Sequence, residues 1–422
     1  VSAAYLDAGA TRSADDAYGG SVSAIGNVFT TDYAVLFLSH WDGSTSATSV
    51  MTVSGSVISE GDVRLFNVNS TGGSMMIASG AEVRADADGD QLGILHIQTR
   101  QGLFAAADSL LAAGPAGGPG TSEVLIQTGV DSGGSLVGPI GGDLTLGLIE
   151  AQDLTASANG GALFIEAPVD ASLSLSASAS GRVHVNAQLA TASASFTSFS
   201  DGVDINAAQV MDGNIAANGA LDVTINQSIA VTGAADFTAG AGGIAVLAPV
   251  SAGGMFFNTV LGPIDVLQPL QSPGSMQFLS DLGSISFAAN VIAGGAVLLT
   301  TGGDFSLADG VALQADSNGV HTDATTPDLF LAPGISLRLW ASNITLGQGV
   351  VAGGVLQPNG EGTAHVSIVA GTATFGGNFI SDARIWGRDV LVNARRDTGG
   401  MGGLLVLNES LSAANLQILA VH

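Results

Sequence analysis

Apolar residues in the middle of the chain follow two superimposed periods. Within short units they alternate with other residues, as in "GRVHVNAQLA" (181–190), "GPIDVLQPLQ" (262–271) and "GSISFAANVI" (283–292). Alternation with period two marks a strand with one buried face. Between units, the same columns return. The first members of the alternating pair are Leu144, Leu163, Val183, Val203, Val223, Ile244, Ile264, Ile285 and Phe305, at steps of 19 to 21 residues. The second members are Leu146, Ile165, Val185, Ile205, Ile225, Val246, Val266, Phe287 and Leu307. A third column reads Ile149, Val169, Leu189, Val210, Ile229, Val250, Leu270, Val291 and Val311.

A step of this size is too short for a βαβ unit, and the intervening residues carry no helical stripe. It accommodates two or three short strands joined by turns, which is one coil of a parallel β-solenoid. The pattern therefore predicts an all-β fold, a right-handed parallel β-helix with about 20 residues per coil, drawn out into an elongated rod of about twenty coils. The hand follows from the usual crossover of parallel strands. Gly lies two residues before the alternating pair in seven of nine units, where it is expected to supply a turn conformation.

The residue between the pair should point outward. It reads Thr145, Phe164, His184, Asp204, Thr224, Ala245, Asp265, Ser286 and Ser306, with Phe164 the misfit. Asn186, Asn206 and Asn226 recur at intervals of twenty, which suits a ladder of stacked amides. The alternative is three ordinary turn asparagines. Later units place Leu247, Leu267, Ala288 and Ala308 there, so the column is expected at an inside corner.

One continuous solenoid is expected over 1–422. Residues 1–140 form irregular N-terminal coils, with a loop excursion near 105–122 ("AAADSLLAAGPAGGPGTS") that has room for a short helix. Residues 141–313 form the regular coils, and 314–422 longer C-terminal coils with a possible assembly region. A second excursion is expected at 317–328 ("SNGVHTDATTPD").

The twenty-residue unit, with its Gly, its Val/Ile-x-Val/Ile pairs and its abundant Ala, Ser, Thr and Asn, resembles the repeats of filamentous haemagglutinin-like secreted bacterial adhesins. The resemblance runs over 141–313. It implies their fold and a role as an extended extracellular fibre at the cell surface.

Composition narrows the function classes. The chain is 46% hydrophobic and 11% charged, with 60 Gly among 422 residues, which argues against both disorder and a helical protein. Its net charge is −26, and the ten basic residues are all Arg. Nucleic acid and anionic membranes are poor partners for such a surface. No Cys is present, so disulfides and thiolate metal sites are excluded. No apolar run is long enough for a membrane helix, and no insertion is expected. The chain opens "VSAAYLDAGA" without Met or a visible leader, as a processed product or a segment of a longer chain would.

Candidate chemistry is sparse. Asp86, Asp88 and Asp90 in "DADGD" alternate around a Gly turn and offer the hard oxygens that calcium takes; the competing reading is a plain acidic turn. "ARIWGRDVLVNARRD" (383–397) gathers Arg384, Trp386, Arg388, Arg395 and Arg396, a set suited to a partner's carboxylates or an acidic sugar. The competing reading is pairing with the chain's own acids. Asp204, Asp265 and His184 read as solvated side chains on an outer face. No zinc motif, phosphate loop or nucleophile elbow occurs. No catalytic residue and no cofactor beyond candidate calcium are expected.

The expected role is therefore a secreted, extracellular or cell-surface structural or adhesive protein, not an enzyme. It would self-associate into fibres by end-to-end stacking and meet surface carbohydrate or a receptor. The alternatives are a carbohydrate-active β-helix enzyme (lyase or hydrolase) and a calcium-dependent surface-layer or matrix protein.

Overall fold

The computed structural model describes residues 3–7, 21–24, 28–37, 49–68, 73–91, 93–116, 121–130, 141–317, 337–348, 350–353, 365–371, 376–395 and 403–420. Every element among them is a strand. Strands fall into two parallel sheets. Each coil lays one short strand in a narrow sheet. It then lays two strands, or one long bent strand, in a broad sheet. Contacts divide the chain into two compact units, Val1–Asn214 and Ile215–His422.

In the first unit the narrow sheet is built from Ser21–Ala24, Ser49–Val53, Gly73–Ile77, Leu103–Ala105, Leu144–Leu146, Leu163–Ile165, Val183–Val185 and Val203–Ile205. The repeat columns sit in direct register: Leu144 on Leu163, Leu163 on Val183, and Val183 on Val203. Each regular strand has its two apolar residues buried and the residue between them part-buried. In the broad sheet, Leu148–Ala158 runs through the corner as one strand, and its register shifts between Ala151 and Asp153.

In the second unit the narrow sheet comprises Asp222–Ile225, Gly243–Val246, Ile264–Val266, Ile285–Phe287, Phe305–Leu307, Ile344–Leu346, Phe379–Ser381 and Leu405–Leu407. Val223, Ile244, Ile264, Ile285 and Phe305 stack in sequence. A row of buried phenylalanines runs through this interior. Phe237, Phe257 and Phe278 are in register, with ring centroids 5.3 and 5.0 Å apart. Phe287 and Phe305 extend the row at 4.8 and 5.3 Å.

The coil length is about twenty in the middle of the chain and longer to either side: Leu103 pairs with Leu144, and Phe305 with Ile344, and the stack continues across both. Other expectations need correction. Within 105–122 there is no helix among the described residues. Leu103–Ala105 and Leu110–Ala113 are strands, and the departure begins only at Gly114. The expected excursion at 317–328 lies outside the described residues from 318 onward.

In the third column Val210 is 71% exposed, and Gln209 takes its place at 0%. Its side-chain amide accepts from the Leu189 N–H (3.1 Å) and donates to the Ala187 and Ala207 carbonyls (3.0 Å each), so a polar group is satisfied inside the wall. At the far end of that column Leu313, not Val311, pairs with Val291.

The recurring Gly also serves a different purpose from the one expected. Of the residues two places before the pairs, none has a positive φ among the described residues. A Cβ on Gly161 would instead lie 2.4 Å from the Gly142 carbonyl oxygen, and one on Gly283 2.0 Å from that of Gly262. Neighbouring coils meet backbone to backbone at this corner.

Candidate functional site

The turn that carries "DADGD" follows the strand Glu82–Ala85. Asp86 and Gln91 have positive φ (52° and 68°), as does Gly89 (78°). Asp tolerates that region because its short side chain can bond locally. Ligand atoms of Asp86, Asp88 and Asp90 lie within 4.8 Å of one another. Their surroundings differ. Asp86 is wholly buried, and its carboxylate accepts from the Thr121 and Ser122 hydroxyls and from the Gln91 N–H (3.0 Å). The Gln91 N–H closes the turn itself, and the Thr121 and Ser122 hydroxyls tie it to the next coil. Asp88 and Asp90 are exposed.

The exposed pair opens on a groove that no motif announced. It encloses about 550 Å³ and is lined by Thr31, Asp32, Tyr33, Glu60, Gly61, Asp62, Arg64, Asp88 and Asp90. Three successive coils of the first unit supply it, each from the bend between its two broad-sheet segments. Arg64 binds Asp62 through two nitrogens at 2.7 and 3.1 Å, and Asp62 also accepts from the Ile94 N–H at 3.0 Å. Asp32, Glu60, Asp88 and Asp90 are exposed carboxylates beside that one arginine. Asp32, Glu60 and Asp88 follow one another at steps of 28, and this wider period was the available signal.

A second groove of about 550 Å³ includes Glu150, Pro168, Asp170, Gln188 and Val210 in its lining. Glu150 and Asp170 are in direct register there. The buried Arg84 guanidinium reaches Glu150 at 3.3 Å, Glu82 at 2.7 Å and the Gly114 carbonyl at 2.7 Å.

The arginine-rich segment is the strand Arg384–Ala394 followed by Arg395. Arg384, Trp386 and Arg388 alternate with buried Ile385 and Gly387, so all three face outward together. Arg384 approaches Glu409 at 3.8 Å; Arg388 makes no ion pair among the described residues. Arg395 belongs to a separate cluster. Its guanidinium lies 5.7 Å from the Trp340 ring centroid, and that of Arg338 4.9 Å from the same centroid. The Trp340 indole N–H donates to the Gly371 carbonyl at 3.2 Å. Arg396 lies outside the described residues.

The asparagine column lies on the outer surface, not at an inside corner. Alternation carries the residue after each of buried Val185, Ile205 and Ile225 outward. Asn206 donates to Asn186, and Asn186 to Glu166, both at 2.8 Å, so the ladder exists in the first unit and ends on a carboxylate. In the second unit Asn226 is part-buried, while Leu247 and Leu267 are 42% and 46% exposed.

His184 and Asp204 are not merely solvated. Phe164, the misfit of its column, stacks on His184 with centroids 4.8 Å apart and planes 6° from parallel. Asp204 holds His184 at 3.2 Å and Arg182 at 2.8 Å.

His96, in register with Arg64, packs edge-on against Phe66 with centroids 5.1 Å apart. Burial, then the nearby Arg64 charge, lower its pKa below the usual histidine value.

Compared with known proteins, the chain matches no family model, no curated protein and no solved structure.

Proposed function

We propose that the chain is a section of an extracellular structural or adhesive fibre that grows by adding parallel strands end to end. The observation that carries this reading is the strand Leu411–Ala420. It pairs along one edge with Arg384–Ala394, and its other edge has no strand among the described residues. Leu416 and Ile418 continue the columns of buried Val390 and Val392, yet are 48% and 42% exposed. A strand edge with half-exposed apolar side chains in column suits a further strand, whether of the same chain or of another copy. The repeat's resemblance to filamentous haemagglutinin-like adhesins supports the same reading.

Where the further strand comes from a second copy, the chain self-associates. Sedimentation velocity over a concentration series tests this. Leu416→Lys/Ile418→Lys should weaken assembly at least tenfold while the melting temperature stays nearly constant. Unchanged assembly of that variant would rule out growth at this edge.

One observation favours a second reading. The groove between Asp32 and Asp90 gathers carboxylates and an arginine on one lateral face, as a polysaccharide-cleaving enzyme would require. A general acid needs a carboxyl shielded from water. Asp32, Glu60, Asp88 and Asp90 are all exposed, so the structural role is preferred. Screens for new reducing ends and for unsaturated uronates decide the point; turnover abolished by Glu60→Gln would establish the enzyme instead.

A further inference from the structure

The chain carries 36 acids and ten arginines, and its charges are unevenly placed. Five of the ten arginines lie between 338 and 396, in the second unit. The strip Arg384–Trp386–Arg388 presents two exposed guanidiniums flanking a part-buried indole on one strand face, with Glu409 3.8 Å from Arg384. In the first unit, the groove presents exposed Asp32, Glu60, Asp88 and Asp90 with the aromatic Tyr33, 42% exposed. Arg64 is the single basic residue in a lining that holds Asp32, Glu60, Asp62, Asp88 and Asp90, so the groove is net negative.

We propose that the Arg384–Trp386–Arg388 strip of one copy docks into the acidic groove of a second copy. Charge complementarity selects this occupant, since guanidinium forks match carboxylates and the rest of the chain is acidic. Dimensions agree. Side chains at alternate positions over five residues span about 13 Å, and a groove crossing three coils spans about 10 Å between its outer coils. The contact is heterologous, joining different surfaces of two copies. It rests on the reading of the chain as a self-associating structural protein, but not on the strand edge at Leu411–Ala420.

Two charge-reversed proteins test it, Arg384→Glu/Arg388→Glu and Asp88→Arg/Asp90→Arg, each checked for folding by circular dichroism. Near 0.1 M salt, where the screening length is about 10 Å, each alone should associate at least tenfold more weakly than the parent. An equimolar mixture should recover association, because the reversed strip meets the reversed groove and the native strip meets the native groove. Association of the parent should also fade toward 1 M salt.

The edge variant Leu416→Lys/Ile418→Lys keeps both charged surfaces and should still form this contact. If the charge-reversed proteins associate like the parent, or the folded mixture recovers nothing, the contact is overturned. It is equally overturned if the edge variant is strictly monomeric at 0.1 M salt. Capture of polygalacturonate by the strip, in a parent that shows no self-contact, would replace the partner with an acidic polysaccharide. An edge variant that assembles like the parent, beside monomeric charge-reversed proteins, would instead sink the strand-edge reading and leave this contact standing.

Discussion

At Gly283 the neighbouring backbone leaves no room for a side chain. A methyl group would sit 2.0 Å from the Gly262 carbonyl oxygen, and two stacked coils cannot separate at one point without losing ladder hydrogen bonds. Gly283→Ala should therefore cost about 1–3 kcal/mol, as overpacking does, in a urea titration. Gly254 is the control: its nearest neighbour would be 3.6 Å away, so Gly254→Ala should fall within about 0.5 kcal/mol of the parent. His96 belongs to the same scale. Burial and then Arg64 lower its pKa in the folded chain, so the unfolded chain binds its proton first as pH falls. Its contribution to stability is complete above the unfolded value of about 6.5 and is lost as pH drops below it. An NMR titration should place the His96 midpoint below 6.5, and His96→Gln should flatten the fall in stability just below that pH.

The coil is where alternation becomes packing. Inward residues of successive strands stack at about the 4.8 Å strand spacing, so each side chain must suit the one above and the one below. Phe237, Phe257 and Phe278 meet this demand with centroids 5.3 and 5.0 Å apart, the second pair only 4° from parallel. Phe257 is the middle ring, and its loss opens a void between two rings. Phe257→Ala should cost about 3–5 kcal/mol by thermal or chemical unfolding. This row was legible in principle, since the three residues keep steps of 20 and 21. The segment "GMFFNT" hides it, because Phe256 and Phe257 are adjacent and only strand phase says which one turns inward. Val210 and Gln209 show the same difficulty from the other side. Hydrophobicity chose the valine, whereas the register needed its neighbour and the wall's carbonyls satisfied the amide.

At the scale of the molecule, each unit closes its core between a narrow and a broad parallel sheet, with charge left at the surface. A net charge of −26 makes copies of the chain repel one another. The association proposed above therefore relies on local features that oppose that repulsion: the half-exposed apolar residues Leu416 and Ile418, and the outward strip of Arg384, Trp386 and Arg388. The strand edge and the charge contact respond differently to salt and to substitution, which separates them in the experiments above.

Periodicity alone determined the stacked parallel coils, the buried columns from Leu144 to Phe305 and the outward face between them. These follow from local alternation and from a repeat that returns each column to the same place. Clustered acids at 86–90 and arginines at 384–396 were also visible as strings. Tertiary structure alone decided which of them meet. It buried Asp86 against Thr121 and Ser122, parted Arg395 from Arg388, turned the asparagines outward and drew Asp32, Glu60 and Asp88 into one groove. The reason is that in a solenoid of uneven coils, lateral neighbours depend on how many residues each loop consumes. That length follows no local propensity, and only the register of the finished stack reveals it.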